Sequence, residues 1–527
     1  MENSIKTPKS PKVLMISPYF VPRKRVGALR SYKFAKYLKD LDWQVCVIHL
    51  EVKGQKLSDK EKVALEGVDL FGLKTPFDRT INRSSSDLGV VEFHASNLME
   101  AHSSAEIQSK SEPPRTKYKI PLPNRSEYVP KDQEEKEEGT RPKKNVEQLD
   151  APIQRLIDGF ERYLPMDTWY PLLRSHLNYM EQILIQEQPN LLWVTADPWS
   201  GLSVIRTLSN RLGVPFVVDF RDPFTLCPIR SSKKSNWAKK VEKKLEAKVI
   251  KEAAAIVFTA DETLKLYQKS YALYANKMHL IHNSFDNDLL NSSVEPDQKM
   301  EFEQYNELFR ETNKPSAIID FSENCDQTSL LEGSPKSELF NLLFLGKFRS
   351  SSPIEPLIKS FQVIKKNHTT FFSNIRLYHI GTLEDQVQKE LENLGLTKHF
   401  LSLSPIPYDK VPDFIEKFDG LISLLNPIRN MVIPSKFWDY LPATPPIISI
   451  GTNLEMKEIL TNTQRGYQFE SFQTQEIAQK LYELQLQRRS FTLKSGTSKE
   501  YLERIVRFSA EHKTKELSAL FLSVIKN

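Results

Sequence analysis

The sequence runs to 527 residues, 39% apolar and 27% charged, with a formal net charge of +6. That length exceeds a single core and provides for two or three domains, and the composition suits a globular protein with polar insertions. No run approaches the roughly 18 apolar residues of a membrane-spanning helix, and the charge suits phosphates or anionic lipid without indicating nucleic acid.

The segment KVLMIS, from Lys12, is a short, nearly continuous apolar run and predicts a buried parallel strand. A loop with Arg23, Lys24, Arg25 and Gly27 follows, then a predicted helix over 29–41 with Phe34, Ala35, Tyr37 and Leu38 on one side. A second strand over 45–50 completes a βαβ unit, the opening of a doubly wound sheet. From about 75 to 150 the pattern dissolves into polar sequence such as KDQEEKEEGTRPKKN, which reads as a loop or disordered insertion. Periodicity resumes with one helix over 169–185, a strand at 191–195, a helix over 202–212 ending at Gly213, and a strand at 214–220. A basic helix over 235–255 and strands at 255–259 and 278–281 close the first domain, residues 1–286.

Residues 287–338 are polar and irregular, a linker carrying an insertion. A second alternating set spans 339–500: strands at 342–345, 375–380, 401–403, 420–425 and 446–450, with helices at 354–365, 386–394, 411–418 and from 436. Residues 501–527 end in a helix over 515–525 whose apolar face must pack, and the first domain is its expected partner. Two α/β sheets joined by a linker place a cleft between two sets of strand carboxyl ends, where open sheets bind ligands.

Several chemistries are excluded by what is missing. Cys46, Cys227 and Cys325 are odd in number and lack CxxC spacing, against a disulfide framework or a cysteine zinc site. The ten histidines form no HxH or HExxH, so no metal site is expected. With 17 glycines and neither GxxxxGK[ST] nor GxGxxG, a phosphate site must rely on helix N-termini and cationic side chains. The first residues, MENSIKTPKSPK, lack the apolar middle of a signal peptide, giving the expectation of a cytoplasmic protein.

Three segments resemble glycosyltransferase family 4, in its branch with an RDP[WF] signature. They are KVLMISPYFVPRKRVGALR, PNLLWVTADPWSGLSVIRTLSNRLGVPFVVDFRDPF, and FLGKFRSSSP followed by IPSKFWDYLPATPPIIS. The match covers most of both ends and fails over the two insertions. The resemblance implies the α/β GT-B fold, two Rossmann-like doubly wound domains facing across a cleft. The first would hold the acceptor and the second the donor nucleotide. It implies transfer of a sugar from a nucleotide-diphosphate sugar to a polysaccharide or lipid-linked acceptor, with retention and no obligatory metal or cofactor. Charge on the leaving diphosphate would be met by helix N-termini and cations.

The same resemblance implies the site residues. Asp439, in Lys436-Phe437-Trp438-Asp439-Tyr440, falls where the family's ribose-binding acid sits; read alone, it is an ordinary helix-surface acid. Ser435 and Lys436 would cradle the diphosphate. Gly346, Lys347, Arg349 and Gly381 complete the donor set with Tyr440. Arg221 and Asp222 are the candidate catalytic pair, Arg221 to stabilise phosphate charge or position the acceptor and Asp222 as a base or as a partner that holds Arg221. Gly27 and Arg30 belong to the acceptor or diphosphate loop. The family's second acid, eight positions before Asp439, is here Met431, which leaves its contact to the transferred sugar without a counterpart.

The basic helix around 237–251 reads either as a contact to anionic lipid on the inner face of the cell membrane or as a solvated face, since Glu242 and Glu246 interrupt its lysines. Two alternatives share the fold: a binding subunit that has lost chemistry, and a nucleotide-sugar epimerase. The epimerase needs an acid–base pair in the cleft, and no His or Glu pair is in view.

Overall fold

The computed structural model describes residues 10–23, 26–52, 54–74, 162–287, 339–346, 348, 354–380, 383–403, 411–427, 430–495 and 503–526. The insertion expected at 75–150 and the linker beyond Asn287 lie outside the described residues.

Seven strands form the first sheet: β1 (Lys12–Ile16), β2 (Gln44–Leu50), β3 (Val68–Leu73), β4 (Leu191–Ala196), β5 (Phe216–Phe220), β6 (Ala255–Phe258) and β7 (Met278–Leu280). All pair in parallel in the order β3-β2-β1-β4-β5-β6-β7. Helices on both faces leave no solvent side, so Val13, Leu14, Met15 and Ile16 are all buried and the strand reads as one apolar run. The second sheet has β8 (Phe340–Phe344), β9 (Ile375–Ile380), β10 (Phe400–Leu403), β11 (Gly420–Leu424), β12 (Ile447–Ile450) and β13 (Gly466–Phe469). Its order, β10-β9-β8-β11-β12-β13, is also all parallel. Each sheet therefore reverses its winding once, between β1 and β4 and between β8 and β11, and those reversals are where open α/β sheets bind ligands.

The opening helix spans Val26–Leu38, starting before its predicted position, so Gly27 lies in its first turn rather than in a loop. The single helix expected over 169–185 is two, Tyr170–Ser175 and Leu177–Glu187. At the break His176 has φ −90° and ψ 4°, and its ring Nδ1 lies 3.0 Å from the Leu172 carbonyl oxygen, a side-chain contact that competes with the helix ladder.

The last helix, Ala510–Lys526, is longer than expected and covers the first sheet. Leu517 and Phe521 are buried beside Trp43 and Val45, and the Trp43 indole N–H donates to Ser518 Oγ at 2.8 Å. The chain thus crosses between the lobes twice, and the crossings are stitched together: Ala510 N–H donates to the Phe285 carbonyl at 2.8 Å. Asp286 anchors the outgoing crossing to the opening helix through Lys36 at 2.9 Å and the Tyr37 hydroxyl at 2.8 Å. Burial, the largest influence, pushes its carboxyl pKa up, but the Lys36 and Lys33 charges and the bonds from Lys36 and Tyr37 together hold it below the usual carboxylate range.

Candidate functional site

At the first reversal point, Gly27 and Arg221 come together. An ideal Cβ on Gly27 would lie 2.6 Å from Arg221 Nη1, so the guanidinium occupies the space a side chain would need. Arg221, just beyond β5, donates from Nη2 to the Asp197 carbonyl at 3.0 Å and the Asp197 carboxylate at 3.1 Å. Its backbone carbonyl accepts from the Thr259 hydroxyl at 2.7 Å. A guanidinium against the N-terminal turn of a helix sets two positive ends side by side, an arrangement that favours an anion next to the pair. Asp222 is exposed at the same turn.

Arg30 is a correction. It was expected at the diphosphate loop, but its side chain points inward and is consumed by internal bonds. Nε donates to Asp219 at 2.8 Å, Nη2 to the Ile281 carbonyl at 2.8 Å, and Nη1 to the His282 carbonyl at 2.7 Å. It ties the opening helix to the ends of β5 and β7.

The turn carrying Arg221 and Asp222 is held by two glutamates of the basic helix, which are internal rather than surface charges. The basic helix, Asn236–Glu252, turns Glu242 and Glu246 inward, where both are buried. Glu246 accepts from the Thr225 hydroxyl and backbone N–H and from the Tyr267 and Tyr271 hydroxyls. Tyr267 in turn accepts from Phe224 N–H at 2.8 Å. Burial raises the Glu246 carboxyl pKa, and these bonds to its charged form pull it back. Glu242 takes a forked pair of bonds from Arg230, both 2.6 Å, and one from Met166 N–H at 2.7 Å. The signal was available: 238, 242, 246, 249, 250 and 253 fall on one helical stripe, and all six residues are buried.

At the second reversal point, the chain leaves β11 and enters the short helix Ser435–Tyr440 after Pro434. Six residues supply little dipole, so the charge here rests on Lys436 more than on the helix end. Lys436 Nζ lies 3.7 Å from Asp439 Oδ2. Asp439 is buried and shares a field with Lys33 of the opening helix, whose Nζ donates to the Ser284 carbonyl at 2.7 Å. Burial lowers the Lys33 pKa, and the Asp439 and Asp286 carboxylates oppose that shift. Ser435 is half-buried at the helix start.

Tyr440 is the second correction: it was expected to touch the donor, but its ring is buried and its hydroxyl accepts Leu345 N–H at 2.7 Å. It locks the helix to the end of β8, next to Gly346, where a Cβ would press on the Phe344 ring at 2.9 Å. Lys347, Arg349 and Gly381 lie outside the described residues.

The carboxyl-end loops of the two sheets meet. The Thr263 hydroxyl donates to the Met431 carbonyl at 2.7 Å, and Glu455 accepts from Asp261 N–H at 2.9 Å and lies 2.6 Å from His282 Nε2. Among the described residues, the group able to hold a metal is Cys46, Asp69 and Glu187, near the amino ends of β1–β3 and away from this cleft. Burial, with Glu187 and Asp69 adding to it, pushes the Cys46 thiol up to about 12, and the Lys12 ammonium sits 2.9 Å from Glu187. A thiol held protonated is a poor ligand.

Residues 130–289 match the family model described as Glycosyltransferase Family 4. No curated protein matches the chain. Solved structures similar to it include a glycosyltransferase from Rickettsia africae ESF-5, with 11% identity and TM-score 0.53 over 98% of this chain and 99% of that one. Another is sucrose-phosphate synthase from Thermosynechococcus elongatus, with 11% identity and TM-score 0.57 over 98% and 99%. A third is an E. coli structure, trehalose-6-phosphate from E. coli bound with UDP-2-fluoro glucose, with 9% identity and TM-score 0.51 over 97% and 99%. At such identities the likeness concerns the fold, the GT-B pair of sheets; the chemistry comes from the family match, which makes the chain a glycosyltransferase.

Proposed function

We propose that this glycosyltransferase, with its family 4 segment, moves a sugar from a nucleoside-diphosphate sugar on its second lobe to a polysaccharide or lipid-linked acceptor on its first. The run Arg221-Asp222-Pro223-Phe224 supports a place for it in the RDP[WF] branch. The observation that carries the reading is the pairing of Lys436 with a buried Asp439 beyond β11, at the reversal of the second sheet. A carboxylate there suits the two ribose hydroxyls, and the ammonium suits a diphosphate.

In the reaction, the bond from the anomeric carbon to the diphosphate oxygen breaks as the acceptor oxygen bonds that carbon, with retention. The diphosphate leaves with the electron pair. Arg221 and Lys436 meet its charge without an obligatory metal. Asp222, exposed beside Arg221, would take the acceptor proton as base.

The test is thermal unfolding of the full chain with UDP, GDP, dTDP or CMP. The matching nucleotide at about 100 times its dissociation constant stabilises the protein by roughly 2.7 kcal/mol. Asp439→Ala abolishes that shift. A chain indifferent to all four nucleotides would return the protein to the role of a binding subunit.

The acceptor side of this reading extends to a membrane surface at the cytoplasmic face. With Glu242 and Glu246 turned inward, the outward face of the basic helix carries Lys240, Lys243, Lys244, Lys248 and Lys251, all exposed, beside an exposed Trp237. Each cation contributes about 1 kcal/mol near an anionic leaflet. Among the described residues no helix is long and apolar enough to cross a membrane, so contact would be peripheral. Sedimentation with phosphatidylglycerol vesicles is expected to carry the protein down, and K240E/K244E to leave it in solution. Equal recovery on neutral phosphatidylcholine vesicles would count against the charge-based contact.

A further inference from the structure

The segment that leads from β11 to the Lys436–Asp439 helix is held by its backbone. Three successive carbonyls, those of Asn430, Met431 and Val432, all need donors. The Asn453 amide donates to Asn430 O at 2.7 Å and Val432 O at 3.4 Å, while its own oxygen caps the next helix by accepting Met456 N–H at 2.8 Å. Met431 O, between them, is served from the other lobe by the Thr263 hydroxyl at 2.7 Å. Both Thr263 and Asn453 are buried, so a lost partner here is not replaced cheaply by water.

Glu455, two residues beyond Asn453, holds Thr263 within reach. Its carboxylate crosses to the first turn of the Asp261–Ser270 helix, accepting Asp261 N–H at 3.0 and 2.9 Å, and its Oε1 lies 2.6 Å from His282 Nε2. Thr263 lies in that same turn. One short stretch of the second lobe, Asn453 to Glu455, thus grips its own donor loop with one side chain and the first lobe with another. The first lobe completes the grip on the same loop.

We infer that Thr263 and Asn453 are positioning residues for the donor helix, with Glu455 as the clamp that keeps Thr263 in place, so that the first lobe sets the affinity of the second for nucleotide. The inference rests on the reading that Lys436 and Asp439 hold a nucleoside diphosphate. Thr263 itself touches the loop and not the nucleotide. Its hydroxyl acts only while the lobes stand as they do here.

The experiment is calorimetric titration of the full chain with UDP, GDP and dTDP, for wild type, Thr263→Val and Asn453→Asp, well below their melting temperatures. Thr263→Val keeps the shape and removes the hydroxyl; it weakens the bound nucleotide about fivefold, the worth of one hydrogen bond. Asn453→Asp keeps an oxygen to cap its helix but turns a carboxylate on two carbonyls, and weakens binding about tenfold or more. A purely structural role would lower melting temperature and leave the dissociation constant of the folded protein unchanged. Wild-type binding with both variants at wild-type affinity overturns this inference alone. A wild-type chain that binds none of the three nucleotides removes the donor-site reading and this inference together.

Discussion

Replacing Arg30 by methionine is expected to destabilise the protein by about 3–5 kcal/mol, measured by urea unfolding of the full chain. Asp219 is fully buried, and its second oxygen already has no hydrogen-bond partner among the described residues. Burial raises the Asp219 pKa, and Arg30 is the main influence pulling it back. Without the guanidinium, the carboxyl must take up a proton or stand unpaired in the core. The Ile281 and His282 carbonyls lose donors at the same time. Changing Asp219 to leucine in the same chain should recover part of the loss, because a pair removed whole leaves no orphan charge. A diphosphate ligand would behave otherwise: the variant would fold normally and fail to bind. A change in stability under about 1 kcal/mol would contradict the internal role.

Arg221→Ala is expected to do the opposite, lowering the rate of sugar transfer by about 100- to 1,000-fold while leaving stability within about 1 kcal/mol. Its partner Asp197 has a side chain 46% exposed, so water takes over once the guanidinium is gone. What is lost is the fixed positive charge over the first turn of the opening helix. Lysine is a poor substitute, since one ammonium cannot bond Asp197 and also lie flat across Gly27. Gly27→Val provides a companion result: its side chain would displace Nη1 without removing the charge, and should slow transfer in the same way. The measurement is turnover of the nucleotide sugar whose diphosphate stabilises the wild-type chain. Transfer by Arg221→Ala at the wild-type rate would remove this residue from the site.

The strands were legible where they are buried on both faces. KVLMIS, the run at 191–195 and the strand at 375–380 all lie within a residue of their predicted positions. Strand β13 was missed because its four residues are all half-buried, without an apolar run to mark them. Among the candidate site residues, Gly27, Arg221, Lys436 and Asp439 stand out through their motifs. Whether an arginine or a tyrosine beside a loop points in or out is a matter of tertiary partners. Those of Arg30 lie 189 to 253 residues away along the chain, and that of Tyr440 lies 95 residues away. Nothing local distinguishes such residues from ligands. Glu242 and Glu246 were hidden by composition, since lysines dominate the count and only the helical phase sorts the two faces.

The way the last helix caps the first sheet bears on how the protein is made. A nascent chain leaves the ribosome with the first sheet complete in its strands but with the surface around Trp43 and Val45 still uncovered. The whole second lobe must be translated before Leu517 and Phe521 arrive to close it. At about 5–20 residues per second, that greasy surface stays open for tens of seconds, a window in which a chaperone has something to hold.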